Sequence, residues 1–360
     1  MDPETVALVH LNRVAGLGPG RIARLLNRFG SATGALASPA RAWEEAGIPG
    51  ELACAALSEE ARGAAGVEIE RAASAGIRIL TCRDPGYPGL YRRIAVPPPV
   101  LYMRGDLTSL GEGTTAVAVV GSRTPTGYGR DMAGRIASGL AAVGVVVVSG
   151  LARGIDSAAH RGALELGGRT VAVLASGLSR IVASEDSDLP ARIEACGALV
   201  SEFPLDVRAL RGHFPRRNRL LSGLAVGTVV VEAAEKSGSL LTAQWALDQD
   251  RCVMAVPGRA DNPMAKGSNG LLRRGAALIE GPEDVLREIG FAEPPGEESA
   301  AGEPDELLAR IGPAGATLDE LAEGSGRAPE EFLTDLLRLE IAGLVRLAPG
   351  GIYRRNRGLE

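Results

Sequence analysis

Two loops combine one arginine with glycine and serine in a pattern that suits the binding of phosphate. The first loop is Gly121-Ser122-Arg123, and the second is Ser149-Gly150-Leu-Ala-Arg153-Gly154. Glycine allows backbone N–H groups to approach an anion closely. Each loop also precedes a segment with helical periodicity, and the N–H groups at a helix N-terminus attract negative charge. The two loops therefore predict a phosphate site in which Arg123 and Arg153 supply the positive charge.

Both loops follow short apolar runs that are typical of buried strands. The runs Val117–Val120 and Val145–Val148 contain only valine and alanine, as expected for parallel strands covered on both faces. The segment between them has the apolar periodicity of an amphipathic helix. The loops at the carboxyl ends of parallel strands gather along one edge of an open sheet. We therefore expect the two arginines to face one crevice.

Two later loops have a similar character and also follow predicted strands, at 228–231 and 253–256. They offer hydroxyl groups, a glycine and a cation close to the start of predicted helices. Helix capping alone would explain each serine, and for each loop taken singly that alternative stays open. Four such loops on one sheet favour an anion site. The additional residues are Ser237, Gly238, Ser239, Thr242 and Lys266.

The densest basic run of the chain contains an aromatic residue. Arginines that follow a backbone beside a ring suit single-stranded nucleic acid, because bases stack on aromatic rings with about 1–3 kcal/mol each. Phe214 could equally belong to the core, and this alternative stays open. The run is Arg208–Arg219, and its candidate contact residues are Phe214, Arg216, Arg217, Asn218 and Arg219.

The order of the predicted elements indicates an α/β fold with an extended, Rossmann-like, doubly wound parallel sheet. Further strands are predicted at 77–81, 170–174 and 198–200, mostly separated by helical segments.

Residues 1–62 read as a helical domain of the SAM or helix-hairpin-helix type, in which a Gly-x-Gly turn at 16–18 could contact DNA or simply join two helices. Residues 63–290 form the sheet domain and 291–304 a Pro/Gly/Glu-rich linker. Residues 305–360, with helices at 307–311, 318–323 and 329–342 and a hairpin at 344–353, suggest a winged helix.

Composition and motifs argue against several other functions. The net charge of −5 excludes adhesion to nucleic acid through the whole surface. The four cysteines are widely spaced, which predicts isolated buried thiols rather than a metal site or disulfides. No segment is apolar enough for membrane insertion and no signal pattern opens the chain, so we expect a cytoplasmic protein. Asp156 and His160 could form an acid/base pair, although Asp156 more often would cap a helix. We predict no catalytic residue, no metal and no cofactor.

Six segments in a fixed order resemble DNA-processing protein A, the DprA/Smf family. They are Gly121–Arg123, Ser149–Asp156, Ser201–Pro204, Phe214–Arg219, Ser237–Ala243 and Ala255–Gly258. The resemblance covers about residues 87–281. It departs from the family at Ile181-Val-Ala183, where a Tyr-Pro pair is expected, which leaves the path of that loop open.

The resemblance implies a protein that is not an enzyme. Members of the family bind single-stranded DNA, form homodimers, protect incoming DNA and load RecA recombinase during natural transformation, which also implies encounters with single-strand-binding protein. The resemblance makes Arg123, Arg153 and the Arg217–Arg219 run DNA contacts. The competing hypothesis is a nucleotide phosphoribohydrolase of the lysine-decarboxylase-like family, whose Pro-Gly-Gly-x-Gly-Thr motif is missing here. A regulator that binds duplex DNA through the winged helix is a weaker alternative, because residues 305–357 are not strongly basic.

Overall fold

The computed structural model of the chain describes residues 2–107, 113–181 and 188–291, and beyond them residues 307–308, 310–312, 315–322, 336, 339, 344–348 and 351–355. The chain divides into two compact units, Met1–Ala292 and Glu293–Glu360. Among the helices in these ranges, none is long and apolar enough to cross a membrane.

Six helices open the first unit, in agreement with the helical character predicted for residues 1–62. The last of them crosses the expected domain boundary at residue 62, and Leu8 of the first helix shares one apolar core with Tyr102 of the sheet. The helical region is therefore packed onto the sheet. The helices are α1 (Pro3–Arg13), α2 (Pro19–Phe29), α3 (Ala32–Ala37), α4 (Ala40–Glu45), α5 (Gly50–Leu57) and α6 (Glu59–Ser74).

A nine-stranded sheet forms the centre of the first unit. Its strands are β1 (Arg78–Thr81), β2 (Val100–Gly105), β3 (Ala116–Val120), β4 (Val146–Ser149), β5 (Thr170–Val173), β6 (Ala198–Ser201), β7 (Gly227–Val230), β8 (Cys252–Ala255) and β9 (Ala277–Leu278). Their order is β1-β2-β6-β5-β4-β3-β7-β8-β9. All pairs from β6 to β9 are parallel, and β1 and β2 add an antiparallel edge. The order β5-β4-β3-β7-β8 is that of a Rossmann fold, which reverses between β3 and β7.

The predicted sheet is confirmed. Each predicted strand begins and ends within one residue of the observed strand, because buried parallel strands have continuous apolar sequences. β2 and β9 were not predicted as strands, and β9 has only two residues, which is too short to show any periodicity.

Helices cover both faces of the sheet, and two of them carry the arginine loops. These two, α8 and α9, pack so closely that a side chain at Gly162 of α9 would overlap the backbone of Gly134 in α8. Their backbone contact fixes the positions of the loops that precede them. The helices are α7 (Gly89–Arg92), α8 (Gly127–Ala142), α9 (Ile155–Glu165), α10 (Leu189–Cys196), α11 (His213–Gly223), α12 (Gly238–Asp248), α13 (Lys266–Leu272) and α14 (Pro282–Glu288).

The expectation of buried cysteines is wrong, because none of the four is fully buried. Cys54 lies on the outer side of α5 and Cys196 is the last residue of α10, and both are exposed. Cys82 and Cys252 are half-buried, and all four thiols are free.

The second unit contains a three-stranded antiparallel sheet with one described helix. The strands are β10 (Ala316–Thr317), β11 (Val345–Ala348) and β12 (Ile352–Arg355), in the order β10-β12-β11, and the helix is α15 (Leu318–Ala322). The predicted hairpin is confirmed by the pairing of β11 with β12. Most of the helix predicted at 329–342 lies outside the described residues, as do Pro349 and Gly350 of the hairpin turn.

Candidate nucleic-acid interface

A cavity of about 360 Å³, here called the crevice, opens where the strand order reverses between β3 and β7. Open α/β sheets bind their ligands at such a reversal point. Loops that follow β3, β4 and β7 meet here. The lining residues are Val120, Gly121, Ser122, Arg123, Thr124, Ala152, Asp156, Phe214, Arg217, Asn218, Leu221, Ala234, Ser237, Gly238, Ser239, Thr242 and Met264.

A second depression, here called the side groove, adjoins the crevice. Arg123, Ala152 and Phe214 line both. The side groove also contains Arg153 and Arg180. Arg123 and Arg153 therefore face one depression, as their positions after β3 and β4 predicted. Both side chains are exposed, and neither forms an ion pair with a described residue.

The two arginine loops are held together by backbone contacts. Gly154 has a φ of 89°, and a side chain there would overlap the Ser122 carbonyl and the Arg123 backbone. The Ile155 N–H donates to the Ser122 carbonyl at 3.1 Å. Leu151 adopts a φ of 52° that non-glycine residues rarely adopt, while its side chain is buried in the core. Gly154 was predicted as a phosphate contact, and its observed role is to let the two loops meet.

The buried guanidinium of Arg217 forms part of the crevice floor. Its Nη1 donates to the Gly150 carbonyl at 2.9 Å and to the Val173 carbonyl at 2.5 Å, and its Nε donates to Asn218 Oδ1 at 3.2 Å. Only 3% of Arg217 is exposed. A side chain at Gly150 would overlap this guanidinium. Arg217 thus ties the loop after β4 to the end of β5.

Asp156 provides the negative charge next to Arg217. It lies in the first turn of α9, and the Ala152 N–H donates to its Oδ2 at 3.4 Å. Burial raises the pKa of Asp156, and the positive charge of Arg217 opposes this shift. Burial likewise lowers the pKa of Arg217 to about 10, which leaves it charged at neutral pH. The floor of the crevice is thus a buried pair of opposite charges.

Phe214 is half-buried at the start of α11 and lies beside two cations. The Arg123 guanidinium carbon is 4.4 Å from the centre of the Phe214 ring, and that of Arg217 is 5.9 Å away. A cation over an aromatic face gains about 0.5–2 kcal/mol. Phe214 therefore presents its ring to both depressions and is not a core residue.

The loop after β7 contributes hydroxyl groups and the start of α12. Ser237 caps α12 by accepting the Ser239 N–H at 3.3 Å, so the capping alternative is correct for this serine. Asn218 Nδ2 donates to the Gly238 carbonyl at 3.1 Å, which connects α11 to this loop. Thr242 is buried at the crevice wall.

Glu232, which follows β7, organises the crevice although the sequence did not indicate it as a site residue. Its carboxylate accepts the Thr126 N–H at 2.9 Å and the Thr126 hydroxyl at 2.7 Å. A side chain at Gly129 would overlap it. Glu232 thereby holds the start of α8 against the end of β7, and its place directly after a buried strand was the available signal.

Two arginines of the basic run, both predicted as DNA contacts, form ion pairs within the fold. Arg216 and Arg219 both pair with the fully buried carboxylate of Glu202, at 2.8 Å for Arg216. Arg219 also donates to the Val96 carbonyl at 2.6 Å, and neither arginine lines the crevice or the side groove. Glu202 offers one negative charge to both arginines, and these ion pairs give them a structural role, while their contact with DNA stays a prediction.

Two other predicted contacts lie away from the crevice. The Ser149 hydroxyl is fully buried and donates to the Val119 carbonyl at 2.6 Å, which links β4 to β3. Lys266 is exposed at the start of α13 but lines neither depression. Thr124, Ala152, Ala234 and Met264 line the crevice without having been predicted, because small and apolar residues carry no chemical signal.

The structure does not support the acid/base pair of Asp156 and His160. His160 is fully buried, and its Nδ1 hydrogen-bonds with Thr170 Oγ1 at 2.7 Å. Burial lowers the pKa of His160 to about 3, so it stays neutral. In the described part of the chain, no group of His, Cys, Asp and Glu residues is arranged to hold a metal ion. Val182 and Ala183, the predicted point of departure from the family, lie outside the described residues.

Comparison with known families identifies the chain. A family model described as DNA recombination-mediator protein A matches residues 78–290, and a model of the DprA winged helix domain matches residues 291–351. The chain belongs to the DNA recombination-mediator protein A family. The resemblance seen in the six sequence segments is thereby confirmed, and the winged-helix assignment with it.

Similar proteins of this family occur in several bacteria. Protein Smf of Escherichia coli is 43% identical over 273 residues, which cover 72% of each chain. A putative DNA processing protein DprA of Mycobacterium tuberculosis is 35% identical over 371 residues, which cover 97% of this chain and 94% of the relative.

Two solved structures share the fold. DprA of Streptococcus pneumoniae superposes with a TM-score of 0.71 and 29% identity, covering 81% of this chain and all of the other. DNA processing protein A of Helicobacter pylori superposes with a TM-score of 0.53 and 29% identity, covering 58% of this chain and 94% of the other. The work on the latter concerns its mode of binding single-stranded DNA.

We predict that Arg217→Ala destabilises the first unit by about 3–5 kcal/mol, because it removes three hydrogen bonds and the main positive charge that acts on the buried Asp156. The control Arg216→Ala, on the same helix, should cost about 1 kcal/mol or less, since Glu202 keeps its ion pair with Arg219. Urea unfolding measures both free energies of unfolding.

The pH dependence of stability gives a second readout of the Arg217→Ala variant. Without Arg217, the pKa of Asp156 rises further, so the folded state holds its proton more tightly than the unfolded state, whose Asp pKa is about 3.9. Stability should then fall as the pH rises above about 4, more steeply than in the unmodified protein. Adding Asp156→Asn should recover part of the loss. Equal pH profiles for the variant and the unmodified protein would contradict the pairing.

Proposed function

We propose that this protein binds single-stranded DNA in the crevice and the side groove, and that it acts as a recombination mediator. In this role it protects incoming DNA and loads RecA recombinase during natural transformation. The observation that carries the proposal is the Phe214 ring beside two cations, Arg123 and Arg217, at the reversal point of the sheet and next to the exposed Arg153. Membership of the family supports it.

A single strand fits this arrangement better than a duplex does. Phe214 offers a ring on which an unstacked base can lie, and bases inside a duplex do not expose their faces. Arg123 and Arg153 are placed to hold phosphates. Because Arg123 covers the ring in the DNA-free protein, an incoming base would replace its guanidinium and release it to a phosphate.

Charge at the crevice favours binding over cleavage. Asp156 is the crevice's only carboxylate among the described residues, and it accepts the Ala152 N–H while the nearby positive charge of Arg217 acts on it. General acid–base catalysis needs groups that can reach the substrate with a suitable pKa. We therefore propose a protein without catalytic activity. We further propose that it works as a homodimer in the cytoplasm and acts on strands covered by single-strand-binding protein.

The first test concerns the two exposed arginines. Arg123→Ala and Arg153→Ala should each weaken single-stranded DNA binding by about tenfold, because each removes a charge-assisted phosphate contact. The loss should be similar for all sequences, and the log–log salt dependence should flatten by about 0.7 for each phosphate lost. Fluorescence anisotropy over a salt series measures both quantities.

The matched control for these variants is Arg41→Ala, which removes an equally exposed charge from α4, a helix that lines neither depression. It should leave affinity and salt dependence unchanged. Unaltered binding in both crevice variants would refute the proposed site.

The second test separates a mediator from a nucleotide-cleaving enzyme. The protein should accelerate RecA filament formation on single strands precoated with single-strand-binding protein, and Arg123→Ala should lose this effect in proportion to its loss of DNA binding. Incubation with nucleoside monophosphates should release no base. Base release that requires Arg123, without any effect on RecA, would favour the phosphoribohydrolase hypothesis.

A further inference from the structure

Charge is strongly segregated within the second unit. From residue 344 to 357 the sequence contains four arginines and no acidic residue, whereas residues 305–343 contain nine Asp and Glu against three arginines. The four arginines are Arg346, Arg354, Arg355 and Arg357. The hairpin of β11 and β12, here called the wing, is thus a basic element on an otherwise acidic unit. Because the acidic residues at 305–343 offset these arginines, the modest net charge of residues 305–357 does not reveal the local concentration of positive charge.

Two arginines of the wing face each other across the hairpin. Arg346 of β11 is directly paired with Arg354 of β12, and both are exposed. Directly opposed residues in an antiparallel pair have Cα atoms about 5 Å apart, and like charges at such positions destabilise the hairpin. No ion pair to either arginine is present among the residues described in the second unit. Among the described residues, nothing therefore compensates the repulsion between these two arginines.

The face of the wing opposite Arg346 and Arg354 fixes the orientation of the hairpin. Val345 and Tyr353, which point to that side, are buried in the core of the unit. Arg355 donates to the Leu308 carbonyl, which ties β12 to the helical part. Since side chains alternate along a strand, Arg346 and Arg354 must point to the solvent side.

We propose that the wing is a second DNA-binding site, in which Arg346 and Arg354 contact the phosphate backbone of duplex DNA. A polyanion removes the repulsion between two opposed arginines, and a ribbon of two strands is narrow enough to enter a DNA groove. The solvent side consists of Arg346, Ala348, Ile352 and Arg354, with no ring on which an unstacked base could lie. The wing therefore favours a duplex, whereas the crevice with Phe214 favours a single strand.

The test uses the full chain with Arg346→Ala and Arg354→Ala combined. Binding to a blunt duplex should weaken about tenfold, and its log–log salt dependence should flatten by about 0.9 for each lost phosphate contact, up to about 1.8. Binding to an oligothymidine of equal length should change less than twofold. The double variant Arg41→Ala/Arg287→Ala, which loses the same charge from two exposed sites of the first unit, should bind duplex normally. Lysine at both wing positions should restore most of the affinity, because backbone contacts need only the charge.

A further variant separates binding from folding. Arg346→Glu converts the opposed pair to opposite charges, so the melting temperature of the protein should stay equal or rise while duplex affinity falls. A lower melting temperature would indicate a structural role and overturn the proposal, as would unchanged duplex binding in the double alanine variant. The crevice variants are measured for binding to single-stranded DNA and the wing variants for binding to duplex DNA. A negative result for the wing therefore leaves the proposed function of the crevice intact.

Discussion

The crevice depends on one buried side chain, Arg217, whose guanidinium donates to two backbone carbonyls and has the carboxylate of Asp156 as its nearby opposite charge. The carbonyls belong to the loop after β4 and to the end of β5, so one side chain joins both to α11. A buried cation without such partners would cost several kcal/mol, so these neighbours are part of its stability. The arrangement gives the crevice a fixed floor of two opposite charges, with the Arg217 guanidinium carbon 5.9 Å from the centre of the Phe214 ring.

Buried carboxylates around the site likewise hold neighbouring groups in place. Glu202 holds Arg216 and Arg219, and Glu232 holds Thr126 at the start of α8. The carboxylates of Glu202, Glu232 and Asp156 all bind partners within the fold. The exposed Arg123 and Arg153 form no ion pair with a described residue and are available to a ligand, which explains how a chain with a net charge of −5 can present a local basic surface.

The sequence predicted the sheet and the position of the site, but not the roles of all arginines. Continuous apolar runs predicted the parallel strands, and the loops that follow them predicted a shared crevice, whereas the reversal between β3 and β7 is known from the structure. Arg219 and Arg123 look alike in the sequence. Only the tertiary structure shows that Glu202 neutralises Arg219, because the two residues are 17 positions apart and meet through packing. The opposed pair of Arg346 and Arg354 likewise depends on hairpin register, which the sequence did not specify.

The central claim is that residues of the first unit hold the single strand. Its most direct test is the affinity of a chain ending at Ala292, which keeps the whole first compact unit, including Phe291 packed against the core. This chain should bind oligothymidine within about threefold of the full chain, a difference of about 0.65 kcal/mol or less. Loss of single-strand binding in a truncated chain that unfolds cooperatively would contradict the account and assign the binding to the second unit.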